Sequence, residues 1–267
     1  MSTMPKLLLK PAAGRGRIHE VTPESAGWTY VGFEVHRLAA GEAASAATGE
    51  REACLVLVSG KARVEVDGES FGEIGGRMSP FDGKPSSVYV PAGSTWRAAA
   101  TTALELAVCS GPGGGAHAAR LIGPDTIEGL TRGSGTNTRH VQNILPETEP
   151  AHSLLVVEVI TPPGHWSSYP PHKHDRDALP DESLLEETYY HRLDPAQGYA
   201  VQRVYTDDRS LDETMAVEDR DVVLVPRGYH PVGAPHGYRL YYLNVMAGPR
   251  RIWRFRNDPA HEWMVKG

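Results

Sequence analysis

Val88-Tyr-Val-Pro91-Ala-Gly93 reappears 135 residues further on as Val223-Leu-Val-Pro226-Arg-Gly228, and the same shift sets Glu52 on Glu187. Each copy leads into a turn and then a terminal apolar strand. Each is preceded by a strand, turn, strand unit, Cys54 to Val66 in the first half and Thr188 to Tyr205 in the second. Around these units, 28 glycines and 21 prolines punctuate short apolar runs along the 267 residues, and long segments of helical periodicity are absent. That pattern belongs to an all-β chain. Strands rich in Val and Tyr and bounded by turn residues are expected at 54–58, 62–66, 87–90, 104–109, 154–160, 188–192, 200–205, 222–225 and 239–246. Two copies of one β-sandwich explain the repeat most economically.

The repeat divides the chain into a first lobe over residues 1–110, a connection over 111–150 and a second lobe over 151–267. A chain of this length can hold two cores. The connection opens with Gly111-Pro-Gly-Gly-Gly and contains Gly133-Ser-Gly-Thr-Asn, yet it also carries Arg139, His140, Gln142 and Asn143 close together. Such polar density is unusual for a passive linker, and part of the segment is expected to fold back over a site.

Composition narrows the partners. With 27 basic against 33 acidic residues the formal net charge is −6, and neither sign forms a long run. Neither a nucleic-acid scaffold nor a membrane-surface binder is expected. The two cysteines, Cys54 and Cys109, are too few for a disulfide framework and read as reduced core thiols. The only apolar run near the start is Leu7 to Leu9, far short of a signal segment. The expectation is a cytoplasmic protein acting on a small molecule.

The chemistry concentrates in the second half, where Gly164-His-Trp-Ser-Ser-Tyr-Pro-Pro-His172-Lys-His174 follows the strand at 154–160. A spacing of two on extended chain sends both imidazoles to one face. Two imidazoles with a carboxylate and a third imidazole make a mixed nitrogen and oxygen site for a transition ion. Glu187 opens the next strand and His230 follows the Pro226-Arg-Gly228 turn. Glu182 and Glu186 compete for the carboxylate position. Glu187 is preferred because the repeat registers it with Glu52 and because it begins a strand. His165, His191, His236 and His261 stand outside the pattern as supporting, surface or core imidazoles.

These residues resemble the two motifs of the cupin superfamily. The first reads here as Gly164, His172-Lys-His174, Glu187 and Gly198, the second as Pro226-Arg-Gly228-Tyr-His230. The gap from His174 to Glu187 is longer than usual, and the gap after Gly228 is one residue short. The resemblance implies a bicupin: two jelly-roll sandwiches in one chain, with one divalent ion held by His172, His174, Glu187 and His230. Zinc, manganese, iron, cobalt and nickel all suit that donor set. In the first lobe, with Gly41 set on the motif glycine, Ala47, Gly49 and Trp96 stand where histidines belong, and only Glu52 survives. That lobe is expected to hold no transition metal and to serve structure, closing the active lobe or forming the dimer interface of a homo-oligomer.

Longer stretches narrow the resemblance. Gly135-Thr-Asn-Thr-Arg-His-Val-Gln-Asn-Ile-Leu, Tyr169-Pro-Pro-His-Lys-His-Asp, Leu185-Glu-Glu-Thr-Tyr-Tyr-His-Arg, Val225-Pro-Arg-Gly-Tyr-His-Pro-Val and His236-Gly-Tyr-Arg-Leu-Tyr-Tyr-Leu-Asn-Val-Met-Ala-Gly lie in order. They are similar to the 5-deoxy-glucuronate isomerase family of myo-inositol catabolism. The resemblance implies conversion of an aldose, 5-deoxy-D-glucuronate, into a ketose, 2-deoxy-5-keto-D-gluconate. Such a reaction moves a proton between adjacent carbons and stabilises charge on their oxygens. If Glu187 faces the metal, alternation puts Tyr189 and His191 on the same face as candidate proton shuttles. Arg203 and Arg139 are candidates for the substrate carboxylate. A ketol-isomerase acting on a pectin-derived deoxy-uronate, a cupin oxygenase and a non-catalytic sugar-binding cupin are the competing readings.

Overall fold

The computed structural model describes residues 6–115 and 117–265. Nearly every element is a strand; the helical pieces are the single turn Pro23–Ala26 and the short 3-10 segments Gly135–Asn137 and Pro259–Val265. The chain forms two compact units. One comprises Pro11–Glu128 and Asn143–Val156; the other takes Gly129–Gln142, the residues from Val157 onward and the described residues up to Lys10. The segment expected as a connection thus contributes to both. Its strands Glu128–Arg132 and Arg139–Leu145 extend the large sheet that carries the metal motif.

Both units are built on the same strand order, and the 135-residue shift holds to the residue. Arg51–Ser59, Ser87–Val90 and Leu104–Pro112 in the first unit correspond to Glu186–Asp194, Val222–Val225 and Arg239–Ala247 in the second. The pairing repeats as well: Glu52 lies opposite Gly111, and Glu187 opposite Met246. The central strands are buried on both faces and so read as continuous apolar runs, whereas the outer strand Lys61–Val66 alternates between buried and exposed positions. In the first unit Leu55, Leu57, Val64, Val88, Trp96 and Leu106 meet between the two sheets. Cys54 and Cys109 face each other across neighbouring strands as buried free thiols. Burial pushes the Cys54 thiol up to about 12.

The first unit's surviving motif carboxylate has a different use. Glu52 is fully buried, and it accepts hydrogen bonds from the backbone amides of His152, Ser153 and Leu154 at 2.7–2.8 Å and from the Tyr89 hydroxyl at 2.6 Å. Three amides converging on one carboxylate tie the chain just before the strand Leu155–Thr161.

Candidate metal centre and active site

Three local features assemble the centre. His172 and Lys173 form a short strand paired with Arg256–Asn257, and the His172 ring packs 4.5 Å from the Phe255 ring centroid. The long gap before Glu187 folds as a hairpin of Asp175–Ala178 and Glu182–Leu184. Glu182 is consumed there, accepting the Asp175 amide at 2.9 Å beside Lys173. Glu187 stands on Glu186–Asp194, paired through Val225 to the strand that leads to the Pro226-Arg-Gly228 turn. Gly228 has φ 91°, and a Cβ there would meet the Tyr205 carbonyl oxygen at 2.4 Å, so glycine is what brings the chain round to His230.

The donor atoms converge. Ring nitrogens of His172, His174 and His230 lie within 4.8 Å of one another, and all three residues are buried. Glu187 Oε2 is 3.2 Å from Nε2 of both His174 and His230. Donors about 2.0–2.2 Å from one ion stand roughly 3.0–3.5 Å apart, so the two 3.2 Å separations suit a shared cation. The remaining nitrogens set the tautomers. His174 Nδ1 donates to the Leu185 carbonyl at 3.1 Å and His230 Nδ1 to the Gly228 carbonyl at 2.8 Å. Each Nε2 lone pair is thereby aimed inward. His174 Nε2, His230 Nε2 and Glu187 Oε2 are buried without a hydrogen-bond partner, an arrangement that is costly unless a cation satisfies it. Burial, then the neighbouring histidines, hold the His172 pKa well below the usual range, while burial lowers His230. In His174 burial acts downward too, but the Glu187 carboxylate outweighs it and the pKa is raised.

Beside the donors lies an inner cavity of ≈ 40 Å³ lined by Glu187, His172, Tyr189, Tyr242, Ser168 and Arg139 among others. An outer cavity of ≈ 470 Å³ shares Arg132, Arg139, His172 and Phe255 with it. Ser168 has φ 50°, and the dipeptide it ends holds two phenols: Ser168 Oγ is 2.9 Å from the Tyr189 hydroxyl, and Ser167 Oγ is hydrogen-bonded to that of Tyr242. Burial first, then the Glu187 charge, push the Tyr189 phenol well above its usual range.

The expected site residues are distributed unevenly. Tyr189 and Arg139 line the inner cavity. His191 is fully enclosed, stacks on Tyr189 at 5.9 Å and lines neither cavity; burial lowers its pKa to about 4. Arg203 stands elsewhere, gripping Asp212 through Nε and Nη2 at 2.8 Å with its side chain 44% exposed. It belongs to the smaller sheet, where a carboxylate already matches its fork. Residues not foreseen are Arg132, Ser168, Tyr242, Asn244, Trp253 and Phe255. Register could have revealed two of them, because Asn244 lies opposite Tyr189 and Tyr242 opposite His191.

The sequence matches the KduI/IolB family over residues 7–264. The chain belongs to that family. It is 58% identical to the 5-deoxy-glucuronate isomerase of Geobacillus kaustophilus over 252 residues, 94% of this chain and 91% of the relative. It is 50% identical to the enzyme of the same name from Bacillus subtilis, over 98% of this chain and all of the relative. Among solved structures, an IolB-like protein of Salmonella typhimurium superposes with a TM-score of 0.96 at 53% identity, covering 97% of this chain and 99% of that one. Oxalate decarboxylase of Bacillus subtilis superposes with a TM-score of 0.64 at 14% identity, over 96% and 79% of the two chains. That likeness carries the bicupin architecture and nothing about the reaction. No helix among the described residues is long and apolar enough to cross a membrane.

Proposed function

We propose that this protein is a 5-deoxy-glucuronate isomerase, a metal-dependent aldose–ketose isomerase of myo-inositol catabolism in the cytoplasm. The observation that carries the reading is the convergence of His172, His174, His230 and Glu187 beside a cavity, in a chain about half identical to enzymes of that name. One divalent transition ion held by these four residues would supply Lewis acidity toward the oxygens of the reacting carbons. The protein supplies the rest. Tyr189 presents its hydroxyl to the inner cavity with Ser168 Oγ as its partner, a pair suited to holding and moving a proton at a substrate oxygen. Arg139 is fixed by the carbonyls of Asn137 and Tyr169 through one Nη, which leaves its other N–H groups for the substrate carboxylate. His191 and Arg203, which line neither cavity, take supporting parts outside the reaction. Phe255 and Trp253 wall the cavity and limit water.

The reading is tested by incubating the metal-loaded protein with 5-deoxy-D-glucuronate in deuterated water and following the carbon-bound protons by NMR, with oxygen present and excluded. Conversion to the 2-deoxy-5-keto acid at equal rates in both atmospheres is the expected result. Oxygen consumption, or binding without conversion, would put an oxygenase or a sugar-binding cupin in its place.

A further inference from the structure

Arg132 and Arg139 stand at the two ends of one turn, Arg132 closing the strand Glu128–Arg132 and Arg139 opening Arg139–Leu145. The turn is built for that approach. Gly133 has φ 77°, and a Cβ on it would meet the Asn137 carbonyl oxygen at 2.1 Å and Arg139 Nη1 at 2.8 Å. Both guanidiniums line both cavities. Arg192, Arg203 and Arg239 each hold a carboxylate. Among the described residues Arg132 and Arg139 face none; Arg139 bonds backbone carbonyls, and Arg132 rests 5.7 Å from the Trp253 ring centroid. Two half-buried positive charges side by side repel each other, and the repulsion is relieved when an anion enters between them.

We infer that Arg132 and Arg139, set by the Gly133 turn and backed by Trp253, form a two-arginine subsite for the carboxylate of an open-chain sugar acid. This deepens the isomerase reading and rests on it only in taking the anion to be the substrate's own carboxylate. An extended six-carbon chain separates its end carbons by about 6 Å. With the reacting end in the inner cavity beside Glu187, the acid end therefore falls near the arginines shared by the two cavities. Neutral sugars of the same length would lack this anchor. Arg132 is then a specificity-determining residue and Gly133 a positioning one.

The test uses the metal-loaded full chain and D-gluconate, an open-chain, non-isomerisable sugar acid, titrated by calorimetry. Arg132→Gln should weaken gluconate binding at least tenfold with metal content and thermal midpoint unchanged, and Arg132→Lys should recover part of the loss. Gly133→Ala, which keeps both charges, should weaken binding and raise KM for the deoxy-uronate more than it lowers kcat. Wild-type gluconate affinity in Arg132→Gln overturns the subsite, as does failure of the wild-type protein to bind gluconate at millimolar concentration. The two readings fail separately. Arg132-dependent gluconate binding without deoxy-uronate turnover keeps the subsite and removes the isomerase, whereas turnover by Arg132→Gln at wild-type KM does the reverse.

Discussion

Glu187 Oε2 lies 3.2 Å from two imidazole nitrogens in a fully buried setting and accepts no hydrogen bond. A buried carboxylate is stable there when a cation completes it. Glu187→Gln should therefore cut affinity for a divalent ion by about a hundredfold or more, while Glu182→Gln and Glu186→Gln retain it; metal analysis after dialysis gives the comparison. Retention by Glu187→Gln and loss by Glu182→Gln would transfer the ligand role to the inserted hairpin. His191 offers a pH test. Its folded-state pKa of about 4 lies below the ordinary imidazole value of about 6.5. Between those values the unfolded chain binds the proton and the folded one does not, so stability from this residue is intact above pH of about 6.5 and falls as pH drops toward 4. The whole effect is on the order of 3 kcal/mol. Denaturant titrations across that window should show a shallower pH dependence in His191→Gln than in the wild type, and identical slopes would mean that His191 is not held neutral by burial. The buried three-histidine cluster was legible because His172, His174 and His230 lie in two local patterns. The surroundings of Arg203 and His191 were not, since alternation says which face a side chain takes but not how deep it lies or which carboxylate stands beside it.

At the scale of elements, strand identity could be read from β-branched and aromatic runs bounded by glycine and proline. Ser87–Val90 and Val222–Val225 fall where expected, and most others differ by a few residues at their ends. Glu128–Arg132 and Arg139–Leu145 were harder to see. Glu128–Arg132 is a largely exposed edge strand with little apolar surface to mark it, and Arg139–Leu145, between it and Leu155–Thr161, buries Val141, Ile144 and Leu145 but opens on a run of polar side chains that masks the pattern. Arg132 was missed with them. The Pro226-Arg-Gly228 turn is the opposite case, a short motif with a definite task. Its geometry is locked by paired backbone hydrogen bonds between Tyr205 and Tyr229 at 2.7 and 2.9 Å, and only glycine fits at 228. Gly228→Ala should cost about 1–3 kcal/mol and also weaken metal binding by shifting His230. A variant that loses stability but binds the ion at wild-type affinity would show that the turn and the ligand are uncoupled.

Across the whole molecule, the sequence repeat registers the two halves, and the strand bounds follow the shift of 135 residues. What the repeat could not show is the new employment of Glu52. Its carboxylate accepts a phenol from Tyr89 and three backbone amides from about 100 residues downstream, partners that no local pattern reveals. Glu52→Gln should destabilise the protein by about 1–3 kcal/mol in chemical denaturation and leave the metal content unaltered; loss of metal instead would give the first lobe a place in the centre. The central claim, that a single ion at the four ligands of the second lobe is what makes this chain an isomerase, is tested most directly by titrating the stripped protein with a divalent metal while measuring turnover of 5-deoxy-D-glucuronate. Activity should rise from near zero and level off at one equivalent per chain, with no such rise in the His172→Ala protein. Turnover in the stripped protein, or a plateau only at two equivalents, would contradict it.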